Sequence, residues 1–171
     1  MKKLAPYLAF SGKCEEALKF YKQAIGGEIL SLSRYGDSPV KVPANFKNKV
    51  MHAEFKAEEV FFMAADMTPE HPIQNGNSIS LSLNLSDVKE LDATFLKLSK
   101  GGQVIMPLAE QFWGARFGML VDKFGIVWML NCEKIEIKPK TSATKKTTPP
   151  PIKKAPVKKK VTTAAKGKTK S

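Results

Sequence analysis

One pattern, met twice along the chain, constrains its fold more than any other feature. Residues 4–10 form an apolar run that reads as a buried strand. Cys14, Ala17, Leu18, Tyr21, Ala24 and Ile25 then recur at helical spacing, and Gly26-Gly27 supplies the stop. Residues 28–35 read as a strand, followed by a loop rich in Gly, Asp, Pro and Asn over 36–48. Residues 49–56 alternate, with Val50, His52 and Glu54 on one face and Met51, Ala53 and Phe55 on the other. A tight turn near Ala57-Glu58 leads to a strand over 60–65.

The same order then returns. Residues 78–85 read as a strand, and Asp87 and Glu90 have the spacing of a helix N-terminus. Val88, Leu91, Phe95 and Leu98 make the apolar stripe, which ends at Gly101-Gly102. Strands over 103–106, 115–121 and 126–132 complete the set. The last two are joined by Asp122-Lys123-Phe124-Gly125, the Asp-first, Gly-last chemistry of a type I turn. This predicts an α+β fold of two βαβββ modules, over about 3–66 and 78–133. One helix covers one face of each four-stranded sheet, so the other face must meet something else, and two modules side by side would leave a cleft.

Charge divides the chain differently. The formal net charge is +12, yet 12 of the 28 basic residues lie in 138–171, where there is no acid. Residues 1–137 keep 16 basic against 16 acidic groups and are formally neutral. The basic segment is built of Lys, Pro, Thr, Ala, Val and little else, has no aromatic residue, and carries prolines at 139, 149, 150, 151 and 156. Such a composition has little to bury and is expected to remain a disordered tail. Non-specific attachment to nucleic acid or another polyanion is one use for it, and a solubilising appendage is another.

Two cysteines, Cys14 and Cys132, are too few for a disulfide framework and form no CxxC motif. The apolar run after Lys2-Lys3 is short, contains Pro6, and enters Ser11-Gly12-Lys13 with no small-x-small cleavage site. No stretch approaches the roughly 20 apolar residues of a membrane span. A cytoplasmic protein with no membrane partner is the expectation.

Several strings sharpen the reading: Tyr7-Leu8-Ala9-Phe10, Glu15-Glu16-Ala17-Leu18-Lys19-Phe20-Tyr21, Gly26-Gly27-Glu28-Ile29, Tyr35-Gly36-Asp37 and Val50-Met51-His52-Ala53-Glu54. With Phe112-Trp113-Gly114-Ala115-Arg116-Phe117-Gly118 and Asp122-Lys123-Phe124-Gly125, they resemble the PhnB-like subfamily of the vicinal-oxygen-chelate (glyoxalase/bleomycin-resistance/dioxygenase) superfamily. The resemblance spans roughly residues 3–133. It implies a ligand cleft, a small organic ligand and a homodimer. Catalysis stays open, because the superfamily includes lyases, dioxygenases, transferases and proteins that only sequester a drug. Proteins of this kind often bear the label demethylubiquinone methyltransferase, but this sequence has no glycine-rich nucleotide-binding signature. The superfamily's metal ligands, carried over by position, fall near Pro6, Met63, Ser78 and Met129. None offers an imidazole or carboxylate, so neither a metal nor another cofactor is expected.

Alternation then selects side chains for the cleft. Ser78, Ser80, Ser82 and Asn84 share one face, while Ile79, Leu81, Leu83 and Leu85 share the face expected to pack on the helices. A two-residue loop at Ala57-Glu58 puts His52 opposite Met63 and Glu54 opposite Phe61. A four-residue loop over 122–125 puts Gly118 opposite Met129 and Arg116 opposite Asn131, whereas one more loop residue reverses the faces. Met63, Met129, Ser78 and Ser80 would then line a ligand site.

His52 has the chemistry of a general base, with Glu54 beside it; otherwise both are half-exposed strand residues. Arg116 is an anion clamp or pairs with a carboxylate. Trp113 covers a ligand or makes an aromatic contact in the core or a dimer. Tyr35 and Asp37 belong to a loop over the site or to plain turn chemistry. His71 falls in a solvent-facing loop, and Asp122 is accounted for as a turn residue.

Overall fold

In the computed structural model, which describes residues 4–74 and 76–133 together with Lys2, the two repeats fold as two modules of the same order. The first is β1 (Tyr7–Phe10), α1 (Cys14–Ile25), β2 (Glu28–Arg34), β3 (Val50–Ala57) and β4 (Val60–Asp66). The second is β5 (Leu81–Asn84), α2 (Val88–Leu98), β6 (Gln103–Glu110), β7 (Ala115–Val121) and β8 (Val127–Glu133). Their sheets are ordered β1-β4-β3-β2 and β5-β8-β7-β6, each with one parallel pair, β1 on β4 and β5 on β8. This is the expected α+β architecture. The tail expected over 138–171 lies outside the described residues.

Each helix forms for reasons visible in its residues. Asp87 accepts a hydrogen bond from the Glu90 amide at 2.8 Å and so caps α2. The N-terminus of α1 has no side-chain cap of its own; the Cys14 amide donates to buried Asp66, at the far end of β4. Cys14, Ala17, Leu18, Tyr21 and Ala24 of α1 join Leu91, Phe95 and Leu98 of α2 in one core with the inward faces of both sheets. Tyr21 spans the modules: its ring lies edge-on to Phe62 and Trp128, and its hydroxyl donates to Asp122 at 2.7 Å.

The paired glycines meet two needs in both modules, although Gly27, at φ 84°, shares the first of them with Gly26. The first of each pair takes the left-handed backbone, φ 76° at Gly26 and at Gly101. The second lets the chain cross the next hairpin closely. A β-carbon at Gly27 would overlap the Lys56 carbonyl oxygen, and one at Gly102 that of Val121.

β6 runs on to Glu110, four residues past its expected end, and four other departures in strand limits and registers bear on the site. β1 begins at Tyr7, after Pro6, which has no amide to donate, and Leu4 is fully exposed. β5 begins at Leu81, because its parallel partner β8 starts at Val127 and leaves earlier residues without a ladder. Ser78 and Ser80 therefore precede the strand, and Ile79 is 79% exposed rather than packed on the helix. Val50 turns into the core at an irregularity in the β2–β3 pairing instead of sharing the His52 face.

The fourth departure is in the hairpins. In the first, Glu58 and Glu59 form the loop and Glu54 stands opposite Met63. Partners shift by two, which preserves the faces. In the second, residues 122–126 make a five-residue loop, so Gly118 stands opposite Leu130 and Arg116 opposite Cys132. The cause is Asp122: its carboxylate accepts the Phe124 and Ile126 amides at 2.8 and 3.0 Å and draws Ile126 out of the strand.

Candidate functional site

The two sheets are covered by helices on one face each, and no helix among the described residues covers the other. On the first sheet, the uncovered face follows from the registers. Tyr7 pairs with Met63 across β1 and β4, Glu54 with Met63 across β3 and β4, and Ser31 and Ser33 with Glu54 and His52. Alternation then puts Tyr7, Met63, His52, Glu54, Ser31 and Ser33 side by side.

These groups are close enough to interact. The Tyr7 hydroxyl lies 3.4 Å from His52 Nδ1, and His52 Nε2 lies 4.0 Å from a Glu54 carboxylate oxygen. The His52 and Glu54 side chains are each 38% exposed, so both are reachable from solvent. Burial, then the neighbouring Tyr35 and Cys14 side chains, holds the Tyr7 phenol above its ordinary range. Tyr35 lies near this face but is itself engaged: its hydroxyl donates to the Asp66 carbonyl at 2.9 Å and its ring rests on Phe46.

The uncovered face of the second sheet is of another character. Met119 stands opposite Met129, Val121 opposite Val127, Phe117 opposite Asn131, and Ser82 beside Met129 on β5. At its rim, the β6–β7 turn holds Trp113, 53% exposed, edge-on to Phe112 and near Phe117. Ser80 joins Met119, Val121, Val127 and Ile105 around a hollow of about 460 Å³, while Ser78 is exposed outside it.

Arg116 is not on this face. The five-residue loop reverses the parity expected for β7, and the guanidinium reaches Asp92 of α2 at 2.8 Å and Glu110 of β6 at 3.8 Å. Of the two roles the sequence leaves open for Arg116, anion clamp or carboxylate partner, its contacts are those of the second, on the helix side of the sheet. His52, Glu54 and Met63 do share a face, whereas Met129 lies on the other sheet and Ser80 just before its first strand. Tyr7 went unnoticed in the sequence because its partner His52 is 45 residues away. Its only signal was the alternation with Leu8 and Phe10.

The residues present do not fit a divalent metal of the superfamily's kind. The β1 position aligned with Met63 is Tyr7, the Pro6 carbonyl is taken by the Met63 amide, and Met129 and Ser82 complete the set. Among the described residues no three His, Cys, Asp or Glu side chains converge. A larger hollow, about 640 Å³, lies instead at the N-terminal end of α1 beside Lys13, Lys49 and His71. Its polar groups are partly spent, since Lys49 donates to the Gly12 carbonyl and His71 Nδ1 lies 3.4 Å from the Thr68 hydroxyl. No helix among the described residues is long and apolar enough to cross a membrane.

Comparison with known proteins agrees with this geometry. A family model described as 3-demethylubiquinone-9 3-methyltransferase matches residues 2–131. Protein YjdN of Escherichia coli K12 is 29% identical over 141 residues, 77% of this chain and 95% of its own length. The crystal structure of protein PA1353 from Pseudomonas aeruginosa superposes with a TM-score of 0.71 at 41% identity, over 78% of this chain and 98% of that one. A PhnB protein from Bacillus cereus gives a TM-score of 0.66 at 34% identity, over 77% of this chain and 99% of that one. Module order, sheet topology, family match and relatives of this identity lead to one conclusion: the chain belongs to the PhnB-like family of the vicinal-oxygen-chelate superfamily.

Proposed function

We propose that the protein binds a small organic ligand on the uncovered face of its first sheet. The observation that carries this is the Tyr7–His52–Glu54 row beside Met63. Three hydrogen-bonding side chains converge there, next to an apolar floor, with no helix of the described residues above them. Specific sites pair an apolar surface with a few placed polar groups, and this face has both. The apolar face of the second sheet, with Met119, Met129 and Phe117, is the natural cover, supplied by a second copy in a homodimer. Arg116 takes no part, so the ligand need not be anionic.

The test is a thermal-shift and calorimetric screen of the full chain. Its panel holds small organic acids, neutral quinols and S-adenosylmethionine, with and without Ni²⁺, Zn²⁺ and Mn²⁺. His52→Ala is expected to weaken the best binder about tenfold or more, the loss of a charged or well-oriented hydrogen bond, without lowering the melting temperature. Equal binding by the variant sinks the proposal, and a stoichiometric metal would show that the ligand set has been misplaced.

A second reading makes His52 a general base. Glu54, 4.0 Å from Nε2, favours it, because a carboxylate beside the ring can orient the imidazole toward a bound substrate. Here His52→Ala should abolish turnover of the ligand found, whereas for a protein that only binds there is no turnover to lose.

A further inference from the structure

We propose that residues 138–171 hold this protein on duplex nucleic acid without regard to sequence. The inference is independent of the sheet-face site. It starts from the partition of charge: 12 lysines and no acid in 138–171, against 16 basic and 16 acidic groups in the rest. The family match ends at residue 131, and PA1353 is covered over 98% of its length by 78% of this chain. The shared fold is therefore spanned almost fully without the lysine segment, whose charge must be explained by something other than the fold.

Its composition selects among polyanions. Lys145-Lys146, Lys153-Lys154 and Lys158-Lys159-Lys160 are point charges suited to phosphates. The segment has neither an aromatic residue nor an arginine, the groups that stack on unpaired bases, which disfavours single strands. Its only bulky aliphatic residues are Ile152, Val157 and Val161, too few for the apolar insertion that anchors a basic segment on a membrane. What remains is duplex backbone, with one charge per about 1.7 Å, where binding is driven by counterion release.

The experiment measures retention of the full chain on short mixed-sequence duplexes across a salt series. If roughly half of the lysines engage, affinity falls on the order of a thousandfold between about 50 and 200 mM salt, equally for unrelated sequences. Replacing the seven lysines at 145, 146, 153, 154 and 158–160 by glutamine is expected to flatten that salt dependence and lose most low-salt binding, with melting unchanged. The same seven as arginine should restore it. Three results would overturn the proposal: undiminished retention by the glutamine variant, a strong preference for one duplex sequence, or binding to phosphatidylserine vesicles with none to DNA.

Discussion

Asp122 stands in the sequence as an ordinary turn residue, yet its carboxylate accepts four hydrogen bonds. The donors are the Tyr21 hydroxyl, the Trp128 indole and the amides of Phe124 and Ile126. One 3%-exposed side chain thereby closes a hairpin, sets its register and ties α1 of one module to β8 of the other. Asp122→Ala leaves these donors unpaired in the interior and should cost about 3–5 kcal/mol in chemical denaturation. Tyr21→Phe removes a single bond and should cost about 1 kcal/mol. Equal losses for the two would show that the carboxylate is not the hub.

Cys14 illustrates a different residue-scale effect. Burial, then Asp66 and Glu15, pushes its thiol up from 9.0 to about 12. The folded state keeps the proton that the unfolded state releases, so its stabilising effect is full below about pH 9 and is lost as pH rises from 9.0 to about 12. Wild type should therefore lose more stability than Cys14→Ala over that range. Neither Cys14 nor Cys132 should react with a thiol reagent in the native protein, since both are buried.

At the scale of elements, what could be read from the sequence was what is decided locally. The helices, their Asp87 cap and their glycine stops were readable because capping and periodicity depend on neighbours within a turn. The faces of β3 and β4 were readable too, Val50 excepted, since a shift of two leaves parity alone. Arg116 was misplaced because the parity of β7 depends on the Asp122 carboxylate drawing in Ile126, which loop composition does not reveal. Tyr7 was missed because its role exists only once β1 lies beside β4 and near β3. The glycines permit a sharper prediction. Gly102→Ala forces a methyl group onto the Val121 carbonyl and should destabilise by more than the roughly 1 kcal/mol of an ordinary helix-end substitution. Gly26→Ala meets no neighbour within 4 Å and carries only the strain of its positive φ. Gly102→Ala melting at or above Gly26→Ala would contradict the crossing argument.

For the molecule as a whole, two four-stranded sheets each present one face that no described helix covers. One carries Tyr7, His52 and Glu54; the other carries Phe117, Met119, Val121, Val127 and Met129. Apolar side chains aligned on a sheet face are stabilised by removal from water, at about 25 cal/mol per Å². A second copy laying its apolar face over the polar one would bury both twice by symmetry and close two ligand sites. Met119→Lys tests this, because the residue points away from the core and its substitution need not disturb folding. Sedimentation should then show a dimer becoming a monomer, with ligand affinity at the distant His52 face falling together with it. Tryptophan emission provides a second readout. Trp128 is 1% exposed and should resist iodide in either state, whereas Trp113, 53% exposed in the single chain, should become quenchable only once the partner is lost. A wild-type monomer whose Trp113 is already quenched, and whose ligand affinity ignores Met119→Lys, would place the whole site within one chain.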